Sequence, residues 1–597
     1  MDVFDYPTGT LLRSSIERLT VSIDSSLLQA MTAMEMSSQY GLPAGLSIVL
    51  DEEHRLAGVI TDGDVREALL KGLNINSPVT EVMTNDPVVI FENTPVEHVL
   101  NEIQRQIRES GRIRAIRHAI LVDKSRHVLG LVDVDKFVLL RSSHWDVIGV
   151  IGLGHVGLTV AVVLAERGFT VIGFDKNDSI IDTLRKGVLH IYERNLDALL
   201  RVQLEKNRFL VTSSFEELKK SGAFLICVNT PVNGSQPDLT DLKEAISTLT
   251  GYLKPSDLVI VRSTVPVGTC RNVVKNIIES RTNYLVGRDI GLAYAPERVV
   301  AGAALEELHT LPQVIGAIDD WSAEATARIF SRLSSTIIKV DTLEEAEIIK
   351  LINNTFRDIS FAFANEIAMT CATYNLDAVK IIKAANSGYP RNPISVPSPG
   401  VGGPCLTKDP YIFLTAKEGT DVPSVAEVGR RINEQVPKYI GRRLLDMLQQ
   451  LGKKPAECTI FILGFAYKGE PETTDMRNSP TLDLVAVLRH KVGTIYGWDA
   501  IVSRVDIEKM GIMWKDVEEG FTGADAVLFM NNHRSFASLD VYRLAERMKR
   551  PAIFFDGWGL FDSDEIEQIP SMLYMGMSYL TPGGGRKCGT QAIRELP

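Results

Sequence analysis

The stretch Val147-Ile-Gly-Val-Ile-Gly152-Leu-Gly154-His155-Val156-Gly157 decides how this chain is read. Val147 to Ile151 reads as a short strand, the spacing Gly-x-Gly-x-x-Gly as a tight turn, and the apolar run on to Ala165 as a helix. Glycines in that spacing let backbone approach a pyrophosphate, and the helix N-terminus attracts its charge. Gly152, Gly154, His155, Val156 and Gly157 are therefore candidate cofactor residues. The next strand, Thr170-Val-Ile-Gly-Phe174, ends in Asp175, about 20 residues on, where a carboxylate takes ribose hydroxyls and repels a 2′-phosphate. The pattern favours NAD over NADP. Val147 to Ala165 also has the length of a bilayer span, but its glycines and His155 divide it into strand, turn and helix, so no membrane insertion is expected.

Around this core the chain runs to 597 residues, more than one hydrophobic core serves, so two to four domains are expected. With 45 % apolar and 23 % charged residues it has the balance of a globular protein, not of a disordered or fibrous one. A net charge of -11 gives no global attraction to nucleic acid. The 6 cysteines are scattered, which argues against a disulfide framework and fits a reducing compartment. No signal-peptide pattern opens the chain, and the cytoplasm is the expected location. The 10 histidines have no ligand spacing with Cys or carboxylates, so no metal is expected.

From 146 to 341 short Val/Ile-rich strands alternate with helices, as in a parallel α/β sheet. Two strand ends there carry polar residues, Cys227-Val-Asn-Thr230 and Arg262-Ser-Thr264, either of which is a cofactor contact or simply turn chemistry. From 342 to 450 the pattern is helical, broken by a Gly/Pro-rich loop from Ser387 to Pro410. From 451 to 597 a second α/β region includes the strands Ile460–Leu463, Thr494–Tyr496 and Ala526–Met530, and ends in a glycine-rich tail after Thr581 that is expected to be mobile. In the helical part, Lys350 and Asn354 are four residues apart and share one face. Such a pair on an isolated helix is commonly a solvated face. The loop Pro399-Gly-Val-Gly-Gly403-Pro-Cys405-Leu-Thr-Lys-Asp409 argues for more, because a cysteine ending a glycine turn, with an Asp one helical turn later, has the arrangement of a nucleophile with its carboxylate.

The first 145 residues contain a repeat: Leu46–Asp51 with Leu56–Ile60 recurs as His118–Asp123 with Val128–Val132. Helical segments Ser26–Gln39 and Pro95–Glu109 precede the two units, and Asp64–Leu70 and Lys136–Arg141 follow them. The repeat resembles a CBS domain pair, a module that binds adenine nucleotides between its copies. The resemblance implies a nucleotide site at Thr61 and Asp64 of Gly58-Val-Ile-Thr-Asp-Gly-Asp64, whereas Asp133 and Lys136 break that motif in the second copy. The alternative is a scaffold or dimer surface.

From 146 to 580 the chain resembles the UDP-glucose/GDP-mannose dehydrogenase family. The resemblance rests on the glycine fingerprint, Ala295-Pro-Glu297-Arg298-Val, the Lys350/Asn354 helix, Gly402-Gly403-Pro-Cys405-x-x-Lys-Asp409, and Phe465-Ala-Tyr467-Lys468 with Asp475-Met-Arg477. It implies two Rossmann-like doubly wound domains joined by a helical dimerisation region, behind an α+β CBS pair. It further implies NAD-dependent four-electron oxidation of a UDP-sugar at C6, with Cys405 as nucleophile. Lys350 and Asn354 would stabilise the oxyanion, and Asp409, Glu297 and a water on Thr264 would accept protons. Thr230, Thr264 and Arg477 would contact the cofactor. Glu297, Arg298, Arg391, Gly402, Gly403, Tyr467 and Lys468 would contact the sugar nucleotide, with Arg391 reaching into a neighbouring subunit of a homodimer or larger assembly. UDP-glucose dehydrogenases carry a second Glu where this chain has Ala301, which points to a UDP-N-acetylhexosamine. Turnover of UDP-glucose or GDP-mannose is the alternative within the class, and a non-catalytic nucleotide sensor the alternative outside it.

Overall fold

The computed structural model describes residues 10–12, 16–38, 45–94, 99, 102–103, 105–106, 118–133, 145–391, 393–417 and 423–580. Of the sequence expectations, most of the segments Pro95–Glu109 and Lys136–Arg141, together with the tail after 580, lie outside those residues.

In the N-terminal repeat, the first copy pairs β1 (Leu46–Leu50) antiparallel with β2 (Leu56–Thr61), and the second pairs β3 (His118–Val122) antiparallel with β4 (Val128–Asp133). Both hairpins carry an irregularity at the same point, between Val49 and Leu50 and between Leu121 and Val122, as two copies of one unit should. Their inner faces share a core of Ile48, Leu56, Ile120, Val122, Val128 and Leu131.

The next sheet begins with β5 (Val147–Ile151), an apolar run buried because both faces of a parallel sheet are covered. The helix α1 (His155–Glu166) that follows is buried along Gly157 to Ala165, which accounts for the membrane-like look of this stretch. Among the described residues no helix is long and apolar enough to cross a membrane. With β6 (Thr170–Phe174), β7 (Phe209–Thr212), β8 (Ala223–Ile226), β9 (Leu258–Val261) and β10 (Gly291–Tyr294), the strands lie in the parallel order β7-β6-β5-β8-β9-β10. The order reverses between β5 and β8, the crevice where doubly wound sheets bind ligands. Two further strands, β11 (Gln313–Ala317) and β12 (Ile337–Lys339), extend the sheet, β11 running antiparallel to β10.

Two long helices follow. Thr342 caps α2 (Leu343–Ala372) through a capping box with Glu345, and α2 packs along α4 (Val425–Gln450); the short α3 (Asp409–Thr415) lies against both. The last sheet, built from β13 (Thr459–Leu463), β14 (Thr494–Trp498), β15 (Met513–Trp514), β16 (Ala526–Phe529), β17 (Ala552–Asp556) and β18 (Met572–Gly576), is wholly parallel in the order β15-β14-β13-β16-β17-β18. It repeats the reversal seen in the first sheet.

The Trp321 side chain joins the N-terminal repeat to this body. The Trp321 indole packs on the second-copy core of Val88, Ile90, Ala119, Leu121 and Val132, and equally on the core beneath the first large sheet. Trp145 lies 5.7 Å from it, ring to ring, and Trp321 covers Gly291 so closely that a Cβ there would stand 2.4 Å from the indole.

Candidate active site

The glycine turn has the geometry its spacing implies. Gly152 sits at φ +94°, a conformation L side chains rarely adopt, and a Cβ on Gly157 would stand 1.8 Å from the Gly152 carbonyl. Gly154 caps α1 with no side chain over its amides, which leaves the helix N-terminus open to an anion. Asp175 accepts from Leu153 N (2.9 Å) through Oδ2 and from Asn177 N (3.0 Å) through Oδ1, so its carboxylate is fixed beside the turn. Thr230 is buried with its hydroxyl unpartnered at the end of β8. These residues fit an NAD molecule: bare amides for the pyrophosphate, a fixed carboxylate for the ribose and an orphan hydroxyl in the crevice. His155 is half-buried, its Nε2 3.2 Å from Glu193 Oε2, and Val156 is half-buried beside it. Burial holds the His155 imidazole below its ordinary pKa, as does the Arg477 cation.

The helix α2 brings the second group. Lys350 is 7 % exposed, yet no hydrogen bond or ion pair reaches its ammonium among the described residues. One turn on, Asn354 Nδ2 donates to Asp409 Oδ2 (2.5 Å). Asp409 is fully buried, takes Lys408 Nζ on Oδ1 (3.0 Å), and donates its own N–H to Cys405 O (2.9 Å). Cys405 is exposed to solvent, in contrast to the other described cysteines, which are buried. Crowding by protein atoms and the Asp409 charge raise its thiol pKa, while Lys350, Lys408 and Arg477 oppose the rise. The thiol thus needs a proton acceptor to react as thiolate.

The C-terminal unit closes the cleft from the other side. Gly403 N donates to Arg477 O (3.1 Å), and a Cβ on Gly403 would stand 2.7 Å from the Tyr467 ring, on Gly402 2.5 Å from Asn478 O. Arg477 is paired with Asp475 (2.6 Å). Lys468 Nζ donates to Ala301 O (2.6 Å); burial, aided by Arg357, lowers its pKa to about 8. Glu472 ties the two large units together, accepting from Tyr192 Oη (2.7 Å) and Arg194 (3.1 Å) on one side with His533 (3.2 Å) on its own. Thr264 is half-buried after β9. Arg298 is half-buried and donates through Nη1 to Pro312 O (3.3 Å). Arg391 lies exposed over the Tyr389 ring (5.5 Å), with no hydrogen bond or ion pair to the cleft among the described residues.

Glu297 departs from its expected part as proton acceptor. Its Oε2 takes Arg262 Nε (3.0 Å) and Nη2 (2.6 Å), and its Oε1 takes Arg298 N (2.8 Å) and Val299 N (3.0 Å). Burial would raise the carboxyl, but the Arg262 guanidinium and the Val299 amide outweigh it and hold the pKa below the ordinary value, which makes Glu297 a poor base. Arg262 was in plain view beside Thr264, but no local spacing links it to a residue 35 positions on. Arg357, whose charge acts on Tyr467 and Lys468, carries a legible signal, because Lys350, Asn354 and Arg357 fall at i, i+4 and i+7 on one helix.

In the N-terminal repeat, Thr61 and Asp64 form a capping box at Asp62–Leu70. Thr61 donates through N (2.8 Å) and Oγ1 (2.7 Å) to Asp64 Oδ2, and Asp64 N donates to Thr61 Oγ1 (3.3 Å). Asp64 Oδ1 keeps its lone pairs free of the described residues. The side chains of Asp133 and Lys136 lie outside the described residues.

A dinucleotide crevice facing an accessible cysteine, with a buried cation and carboxylate around it, defines a pyridine-nucleotide-dependent dehydrogenase. The chain belongs to the UDP-glucose/GDP-mannose dehydrogenase family, whose NAD binding domain matches residues 146–334, central domain 344–435 and UDP binding domain 461–563; CBS domains match 14–71 and 79–141. It is 36 % identical over 411 residues to the UDP-N-acetyl-D-mannosamine dehydrogenase of Pyrococcus horikoshii, covering 69 % of this chain and 94 % of that one. It is 32 % identical over 409 residues to the NDP-N-acetyl-D-galactosaminuronic acid dehydrogenase of Ralstonia nicotianae, covering 67 % and 94 %. The solved UDP-D-ManNAc dehydrogenase of Pyrococcus horikoshii superposes with a TM-score of 0.67 over 72 % of this chain and 99 % of that one, at 33 % identity.

Substituting Arg262→Met would leave Glu297 as an uncompensated buried carboxylate. Urea unfolding should show a loss of about 3–5 kcal/mol, and an unchanged midpoint would contradict the pairing described here.

Proposed function

We propose that the chain oxidises the C6 hydroxyl of a UDP-N-acetylhexosamine to the uronic acid, with two NAD+ reduced in turn. The observation that carries this reading is the exposed Cys405 thiol, one helical turn from the buried Asp409 and within the field of the unpaired Lys350. Bound NAD+ supplies the hydride acceptor. Lys350 and Asn354 stabilise the alkoxide as the hydroxyl gives up its proton. Asp409 and a water on Thr264 take the protons, a task closed to Glu297 while Arg262 holds it. Once the first hydride has left C6, the Cys405 thiolate adds to the aldehyde; the C–S bond forms and the carbonyl pair moves to oxygen, which takes a proton to give a thiohemiacetal. Departure of the second hydride and that hydroxyl proton gives a thioester. Water adds, the C–S bond breaks, and the acid leaves as the thiol is restored.

In this reading Arg298, Arg357, Gly402, Gly403, Tyr467 and Lys468 hold the sugar nucleotide, and Gly152, Gly154, Asp175, Thr230 and Arg477 hold NAD. Ala301 is a smaller side chain than the second Glu that UDP-glucose dehydrogenases carry, which suits an acetamido group. The relatives named for N-acetylmannosamine and N-acetylgalactosaminuronic acid support that class over UDP-glucose. The same proposal divides the chain into a regulatory part (1–145), a cofactor part (146–341), a helical part (342–450) and a sugar-nucleotide part (451–597), and assigns the protein to the cytoplasm. The reading includes a homodimer, supported by an apolar face left open on α2, where Ile352, Phe356 and Phe363 are 45 %, 72 % and 54 % exposed. Arg391 then serves the neighbouring subunit's cleft. The N-terminal repeat binds an adenine nucleotide, its ribose on Asp64.

Four outcomes test this. NADH absorbance should rise with UDP-N-acetylmannosamine or a related UDP-N-acetylhexosamine and stay flat with UDP-glucose and GDP-mannose; Cys405→Ser should form no acid, and parent-rate acid formation by that variant would sink the mechanism. Lys468 loses its charge above about pH 8, so calorimetric affinity for UDP should fall as pH rises from 8, approaching tenfold per unit for one required proton. Lys468→Arg, charged throughout, should abolish that slope. Titration with ATP, ADP and AMP should give heat with the parent and at least tenfold weaker binding with Asp64→Ala; no heat from any of the three would leave the repeat a scaffold.

A further inference from the structure

The loop that carries Cys405 contains Gly400, Gly402 and Gly403, so its own backbone preferences do not fix where the thiol sits. Something outside must, and the structure supplies it from α4. Arg430 is 1 % exposed and grips the loop on both sides of the cysteine: Nη1 donates to Leu406 O (3.0 Å) and Nη2 to Val401 O (3.3 Å). The guanidinium is fixed in turn by Asp358, fully buried on α2, which accepts from Nη1 at 2.7 Å; Glu434 Oε1 stands 3.4 Å from Nε. Asn433 Nδ2 donates to the Asp358 carboxylate and carbonyl, both at 2.9 Å. Asn365 carries the network on, donating to Asn433 Oδ1 (3.1 Å) and accepting from Ser398 N (2.9 Å) at the loop's start.

A buried ion pair is a poor source of stability, since desolvation offsets its attraction, and apolar residues would pack this helix pair as well. What apolar residues cannot do is bond two carbonyls of a glycine-rich loop. Asp358 also lies one turn beyond Asn354, so the helix that holds Asp409 through Asn354 holds the loop backbone on either side of the cysteine, at Val401 and Leu406, through Arg430. We propose that Arg430, fixed by Asp358, is a positioning residue that sets the Cys405 thiol against the aldehyde carbon. The proposal rests on the reading of Cys405 as nucleophile.

The test uses the full chain with the UDP-N-acetylhexosamine it turns over fastest, in the presence of semicarbazide. The parent should yield two NADH per acid with little aldehyde captured, because a well-placed thiol takes the aldehyde before it escapes. Arg430→Lys keeps the charge but cannot span both carbonyls. It should lower acid formation about 100-fold, the scale of an ångström misplacement, with KM for both substrates within twofold. NADH should now exceed two per acid, the excess matching semicarbazone, one NADH for each aldehyde trapped. Asp358→Asn, which keeps the shape but loses the fixed charge, should move the same ratio in the same direction and serves if the lysine variant does not fold. A lower rate with the ratio still at two would mean fewer folded molecules and would overturn the proposal, as would a folded variant with parent kinetics. Cys405→Ser run alongside separates the two claims: acid from that variant removes the nucleophile reading, whereas no acid from it together with a parent-like Arg430→Lys removes the Arg430 proposal alone.

Discussion

The helix Leu343–Ala372 is tied by buried hydrogen bonds to the loops that meet in the cleft. Glu347 accepts from Gly268 N (2.5 Å) and Cys270 N (2.8 Å) and so fixes the turn that follows Thr264. Asn354 holds Asp409, Asp358 holds Arg430, and Asn365 holds Ser398. Positions 347, 350, 354, 358 and 365 fall on one stripe of a 3.6-residue helix, and these five side chains are buried or half-buried. A polar stripe inside a protein is tolerated only where each group finds a partner. Lys350 is the member of this stripe without one among the described residues, and its charge acts on the Cys405 thiol.

That stripe explains how the cofactor crevice and the cysteine loop, which belong to different layers, keep a common register. The first sheet presents its ligand end at the reversal of strand order, and the last sheet does the same from the opposite side. Two such sheets have no intrinsic reason to face one another. Helix α2 touches the first through β11 and the cysteine loop through α3 and α4, while Glu472 joins the sheets across the cleft.

Much of this was legible in the sequence where the signal is local. Buried parallel strands are apolar runs, so β5, β6, β13 and β14 could be located to within a residue or two, and the repeated hairpins likewise. The spacing of Cys405 and Asp409 fixed their one-turn relation because the turn is made within the segment. What stayed hidden depends on contacts between distant segments. Glu297 looks like a free carboxylate until Arg262 is seen beside it, and Arg430 looks like one basic residue in a charged helix until the loop carbonyls close on it. Thr61 and Asp64 show the reverse case, since a hydroxyl and a carboxylate three residues apart before a helix also spell a capping box.

Trp321 has a thermodynamic consequence. It belongs to the core of the N-terminal repeat and to the core under the cofactor sheet, and it lies on Gly291 of the strand that runs on to Glu297. Any influence that passes by this route in one direction must pass in the other with the same free energy, because linkage between two binding equilibria is symmetric. Its size is bounded by what one half-buried indole can gain or lose, on the order of 1–3 kcal/mol, or about 5- to 150-fold in affinity. A signal carried by this indole alone would therefore shift affinities over a limited range, and by an equal amount in either direction.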